Sequence, residues 1–153
     1  MNILFVCTGN TCRSPMAEGY FKHLCKLKSR NDISIQSAGI NAVNGMPPST
    51  DSVKIMSNFG IDIQSYSSQP LSNTLLNWAD IIIVMSRTHK HAIPLLFSEC
   101  NTSKIFLLNQ FNNVDDDIYD PYGGSIDIYH KCFQNMKKPL DNLLKQIDNL
   151  PFK

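Results

Sequence analysis

One stretch constrains this chain more than any other: Asn2-Ile3-Leu4-Phe5-Val6-Cys7-Thr8-Gly9-Asn10-Thr11-Cys12-Arg13-Ser14-Pro15. An apolar run stops abruptly at a cysteine. A short polar loop with one glycine follows, then an arginine, a serine and a proline. The run reads as a buried strand, and Ser14-Pro15 as a helix start with proline at the first helical position. The loop between them is held by the end of a strand and the start of a helix. Its successive backbone N–H groups can curl into a nest, and the helix dipole adds positive potential there. Cys7 and Arg13 then face the same anion, which makes the loop a phosphate cradle with a nucleophile at its floor.

The remaining chain alternates strand and helix signals. Met16, Ala17, Tyr20, Phe21, Leu24 and Leu27 recur at helical spacing, with Glu18, Lys22, Lys26 and Lys28 on other faces. Ile33 to Ala38 alternates and stops at Gly39, as a strand does. Ser49 caps a helix from Thr50 to Phe59 that Gly60 closes. A short helix lies around Ser72 to Trp78. Ile81-Ile82-Ile83-Val84-Met85 has the continuous β-branched character of a strand buried on both faces of a parallel sheet. A helical stretch from Arg87 to Phe97, interrupted by Pro94, leads to a fourth strand over Lys104 to Leu108. Asn112 to Gly124 is acidic and turn-rich. Ser125 to Leu150 reads as an amphipathic helix whose apolar face includes Ile126, Tyr129, Phe133, Met136, Leu140, Leu144 and Ile147. The pattern predicts an α/β domain over residues 1–153: a four-stranded parallel sheet with helices on both faces and the phosphate-binding loop after the first strand. Ligands of such sheets sit at the carboxyl ends of strands, where that loop lies.

Composition narrows the class. The 14 basic and 13 acidic residues give a net charge of +1, which offers no electrostatic footprint for nucleic acid. No apolar stretch reaches transmembrane length, and the first residues lack the basic segment and cleavage site of a signal peptide. Five cysteines (Cys7, Cys12, Cys25, Cys100 and Cys132) at irregular spacings fit free thiols in a reducing cytoplasm. Cys25, Cys100 and Cys132 read as small hydrophobes. His89 and His91 are two apart and share no helical face, so no metal site is expected; Trp78 and the methionines read as core packing, so no cofactor is expected.

The loop's chemistry is coherent. An ordinary cysteine thiol, with a pKa of about 8.5, is mostly protonated at neutral pH, and inward N–H groups, a helix N-terminus and a guanidinium favour its thiolate. Arg13 offers a planar fork for two phosphoryl oxygens. Ser14 can donate to the thiolate, most usefully when the thiolate leaves. Gly9 permits backbone angles that other residues resist, and Asn10 tolerates positive φ and can pin the loop with its amide. A phosphocysteine route also needs an acid to protonate the leaving group. Asp120, in Asp120-Pro121-Tyr122, is the first choice, with Tyr122 as a pocket wall. Asp115, Asp116 and Asp117 are rivals that read otherwise as a solvated acidic loop.

The residues Val6 through Glu18, then Ser37-Ala38-Gly39, Ala79-Asp80 and Asp120-Pro121-Tyr122-Gly123-Gly124-Ser125, resemble the low-molecular-weight protein phosphatase family. The resemblance implies Cys7 as nucleophile, Arg13 as phosphate ligand, and Asp120 as general acid and then base. It implies Thr8, Gly9, Asn10, Thr11, Cys12, Ser14 and Tyr122 as the substrate-binding surround, with Asn10 and Ser14 supporting the loop. Its partners would be phosphorylated protein side chains, with the oligomeric state left open, a monomer included. Cys12 matches a second family cysteine that pairs with the nucleophile under oxidation. Small, polar Thr11 and the Gly123-Gly124 pair after Tyr122 look like the bacterial branch acting on phosphoarginine. Asn41 stands where that branch often has an aromatic residue, so the phosphotyrosine branch stays as the alternative. Where many members have a histidine bracing the loop asparagine, Ser37 or Ser65 takes that role. Two further readings are weighed. An arsenate reductase resembles this family in its first loop but needs two further cysteines close together after the third strand, where Met85 to His89 has none. A non-catalytic phosphate-binding module would need the loop but not the acid.

Overall fold

The computed structural model describes residues 1–150. Strand β1 (Asn2–Cys7) lies between β2 (Ser34–Gly39) and β3 (Ile81–Val84), and β4 (Ile105–Leu107) completes a parallel sheet of order β2-β1-β3-β4. The chain leaves β1 for one edge and then returns past it to β3. The carboxyl ends of β1 and β3 therefore flank the point where strand order reverses, the crevice where ligands of open α/β sheets bind.

Two apolar layers follow from side chains that alternate along each strand. Ile3, Phe5, Ile81 and Ile83 face helices α1 (Arg13–Leu27), α2 (Thr50–Asn58) and α5 (Ile126–Gln146). Leu4, Val6, Ile82 and Val84 face α3 (Asn73–Trp78) and α4 (Arg87–Leu96), which contribute Leu76 and Ile93. The first layer is aromatic: Phe5 meets Phe21 edge to face at 5.6 Å, and Phe133 meets Tyr20 at 5.4 Å and Phe59 at 4.9 Å. Among the described residues no helix is long and apolar enough to cross a membrane.

The fourth strand is shorter than expected, with Lys104 and Leu108 in flanking 3-10 turns, and four further local expectations are corrected. Helix α1 begins at Arg13, so Pro15 occupies the third helical position. That costs no intrahelical bond, because the first turn's N–H groups have no partner within the helix. Helix α4 runs through Pro94 and stops two residues later at Leu96. Leu27, at the end of α1, and Ile126, at the start of α5, are exposed rather than packed. Beyond Gln146 a short 3-10 turn, Ile147–Asn149, replaces the last α-helical turn.

Candidate active site

The loop from Cys7 to Cys12 emerges at the carboxyl end of β1, and its walls are set by the neighbouring strands. Ile40 N–H donates to Cys7 O, Asn41 N–H to Thr8 O, and Ser49 N–H to Thr11 O. Asn10 takes a left-handed angle, with φ of 55°. Gly9 does not, which corrects the reading of that glycine: a Cβ there would meet only Thr11 Oγ1, at 3.7 Å. The close approach belongs to Gly39, whose absent Cβ would stand 2.5 Å from Thr8 O and 2.9 Å from Asn10 N.

Behind the loop runs a hydrogen-bond chain whose direction can be read. Ser37 Oγ donates to the Glu18 carboxylate, so it accepts from Asn10 Nδ2 at 2.9 Å. Asn10 Oδ1 accepts the Gln69 backbone N–H at 2.9 Å, which fixes the amide's orientation. Asn10's second amide hydrogen goes to Ser14 Oγ at 2.8 Å. Ser14 is fully buried, and the one acceptor left for its own proton is Cys7 Sγ, 3.0 Å away. Along the branch from Asn10 through Ser14 the protons therefore point toward the sulfur, the arrangement a thiolate needs. Ser37, not exposed Ser65, braces Asn10. Asn10 and Ser14 lie behind the pocket, and the others of the expected surround line it.

That pocket holds about 210 Å3 and is lined by Cys7, Thr8, Gly9, Thr11, Cys12, Arg13, Asp120 and Tyr122. Arg13 is buried. Its Nη2 pairs with Asp120 Oδ2 at 2.9 Å, its Nη1 donates to Ile118 O at 3.0 Å, and its Nε has no partner among the described residues. A buried guanidinium N–H without an acceptor is costly unless an anion takes it. Asp120 stays about half exposed, and its Oδ1 accepts the Tyr122 N–H at 3.2 Å, an Asx turn that orients the carboxylate. Asp115, Asp116 and Asp117 gather instead around Arg87, at 3.7, 3.7 and 3.4 Å. They anchor the loop that carries Asp120, as does Ile118 N–H donating to Met85 O at 2.8 Å.

All five cysteines are free thiols. Cys12 Sγ lies 3.2 Å from Tyr129 Oη of α5. Burial pushes the Cys25 thiol up to about 11 and the Cys132 thiol to about 12, so both remain protonated small hydrophobes.

Several residues at this site escape sequence reasoning. Tyr129 reads only as one more apolar position of its helix. Glu18 reads as a polar residue on an outer face of α1. His89, which spacing dismissed as a metal ligand, is buried and bonds to Thr8 and Ser86. Burial, and then the nearby charge of Arg13, lower its pKa to about 4, so it is neutral at physiological pH.

A parallel α/β sheet carrying a cysteine, an arginine and an aspartate around an anion-sized pocket at its switch point defines a phosphate-handling cysteine-loop protein. A family model for the low molecular weight phosphotyrosine protein phosphatases matches residues 2–150. This chain belongs to that family. It is 36% identical over 148 residues to the protein-arginine-phosphatase of Bacillus subtilis, covering 96% of this chain and 97% of that protein. It is 32% identical over 145 residues to the probable low molecular weight protein-tyrosine-phosphatase EpsP of Ralstonia nicotianae, covering 95% and 94%. A solved structure of a cysteine-to-serine mutant of the arginine phosphatase YwlE, with a phosphorylated active site serine, superposes with a TM-score of 0.91 at 34% identity, covering 97% and 96% of the two chains.

Proposed function

We propose that this single-domain protein hydrolyses phosphorylated protein side chains through a phosphocysteine at Cys7, with phosphoarginine the favoured substrate. The observation that carries the reading is the directed hydrogen-bond chain ending on Cys7 Sγ, at the floor of a pocket walled by Arg13 and Asp120. The Cys7 thiolate attacks phosphorus while the bond from phosphorus to the side-chain nitrogen or oxygen breaks. Asp120 gives that leaving atom its proton. The Asp120 carboxylate then takes a proton from a water that attacks phosphorus, the S–P bond breaks as the P–O bond forms, inorganic phosphate departs, and the returning thiolate is received by the Ser14 hydroxyl. Arg13 Nε and the terminal nitrogens hold phosphoryl oxygens and the charge that spreads over them in the transition state.

The lean to phosphoarginine is supported by Thr11, whose polar side chain lines the pocket, and by the arginine-phosphatase name of the Bacillus subtilis relative. The phosphotyrosine alternative draws support from Tyr122, an exposed aromatic at the pocket edge that can stack on a phenyl ring. Comparing kcat/KM on matched peptides carrying each group tests the choice. Phosphoarginine is expected to win, and Thr11→Ile to move the ratio toward phosphotyrosine by about tenfold, the scale of a methylene-sized change in an apolar pocket. A strong wild-type preference for phosphotyrosine would overturn the assignment.

The reading includes a cytoplasmic location, supported by five free thiols, and reversible oxidative control by a Cys7–Cys12 disulfide. Oxidation by peroxide takes Cys7 to a sulfenic acid, and the Cys12 thiol then displaces water from it. Mass spectrometry after mild peroxide is expected to find that linkage. Sulfinic acid on Cys7 without it would reject the pairing.

A further inference from the structure

The phosphatase chemistry leaves the buried imidazole of His89 without a task. His89 lies on the first turn of α4, is 5% exposed, and fills the space between that helix's cap and the phosphate loop. Its Nε2 is 2.9 Å from Thr8 Oγ1, and its Nδ1 is 3.0 Å from Ser86 Oγ. Its backbone N–H donates to the same Ser86 oxygen at 3.3 Å.

Counting protons decides the tautomer. A neutral imidazole and a hydroxyl carry one each. With the ring proton on Nδ1, Ser86 Oγ would accept it, and the proton of buried Ser86 would have no acceptor. With the ring proton on Nε2, Ser86 donates to Nδ1 and Nε2–H donates to Thr8 Oγ1. The Thr8 hydroxyl proton is then free to turn into the pocket that Thr8 lines. Only the second arrangement leaves no buried donor unused.

We infer that His89 is a positioning residue for this active site: by donating from Nε2 to Thr8 Oγ1, it commits the Thr8 hydroxyl proton to an oxygen of the bound phosphoryl group. The inference rests on the phosphatase reading. The acceptor is a phosphoryl oxygen because a guanidinium leaving group has only N–H donors to offer. The contribution is therefore common to phosphoarginine and phosphotyrosine substrates, unlike that of Thr11.

Steady-state kinetics of the full chain on p-nitrophenyl phosphate, with inorganic phosphate as competitive inhibitor, tests this for Thr8→Val, His89→Phe, His89→Gln and the Thr8→Val/His89→Phe pair. Thr8→Val and His89→Phe are each expected to lower kcat/KM about tenfold, the lower end of the scale for a hydrogen bond to a charged group, and to weaken phosphate inhibition similarly. The pair should be no worse than Thr8→Val alone, and His89→Gln, which keeps an N–H donor, should recover most of the loss. A His89→Phe loss that persists in the Thr8→Val background, or wild-type kcat/KM in Thr8→Val, overturns the inference. Should His89→Phe fail to fold, Thr8→Val and His89→Gln decide it. If the wild-type protein hydrolyses neither p-nitrophenyl phosphate nor a phosphoarginine peptide, the functional reading itself fails. Calorimetric affinity for inorganic phosphate then decides the role of Thr8 alone, and an affinity unchanged in Thr8→Val overturns it.

Discussion

Cys7 acquires its chemistry from groups that never touch a substrate. Glu18 fixes the proton of Ser37, Ser37 and Gln69 fix the amide of Asn10, and Asn10 leaves Ser14 no option but to donate to sulfur. Removing the last donor should matter most when the thiolate is the leaving group. Ser14→Ala is expected to lower kcat by about tenfold, with the burst of leaving group in stopped-flow becoming more pronounced as phosphocysteine accumulates. An unchanged kcat would mean that the Ser14 contact is only structural. The residues proposed here for the chemistry were legible in the sequence, because Cys7, Arg13 and Ser14 come within one short loop and Asp120 is marked by its proline and tyrosine. The groups that orient them were less so. Glu18 and Tyr129 sit on helices whose periodicity explains them fully as an outer-face and a core residue. Spacing sets His89 only against its neighbour His91, whereas its partner Thr8 lies 81 positions away.

At the scale of elements, the loop after β1 keeps its shape because β2 passes very close beneath it. Gly39→Ala would drive a Cβ into Thr8 O and Asn10 N, both backbone atoms that cannot swing aside. A cost of about 1–3 kcal/mol in urea denaturation is expected, together with a fall in kcat/KM as the loop is displaced. Gly60→Ala is the contrast. Gly60 has φ of +70° and no atoms within 4 Å of a Cβ, so the change should cost about 1 kcal/mol of strain and leave kcat/KM alone. Equal effects of the two on activity would count against the close-approach account. Strand and helix identities followed from period and β-branching, whereas ends did not. Pro15 reads as a first-position proline, but tertiary packing had already made Arg13 and Ser14 helical. Leu27 and Ile126 satisfy the helical period, yet both are exposed at the ends of their helices.

Over the whole molecule, burial of a neutral histidine couples stability to pH. The pKa of His89 is lowered to about 4 in the folded protein, against an ordinary value of 6.5. Above pH 6.5 neither state holds the extra proton. As pH falls from there toward 4, the unfolded chain takes it and the folded one does not, so stability falls with pH and levels off below 4. Between pH 7 and 5 this amounts to about 2 kcal/mol. Urea denaturation at the two values should show wild type losing about that much more than His89→Gln, while carboxylate contributions common to both cancel. Equal losses would mean that His89 takes up its proton in the folded state.

The central claim is that phosphate passes through sulfur at Cys7, and trapping that intermediate tests it most directly. Asp120→Asn should still accept phosphate from p-nitrophenyl phosphate, whose leaving group needs little protonation, yet lack the base that activates water. Rapid quench and peptide mass spectrometry are expected to find the phosphoryl group on Cys7 of that variant, and no turnover when Cys7→Ser is added. A phosphoryl group on another residue, or turnover that survives the loss of Cys7, would contradict the account.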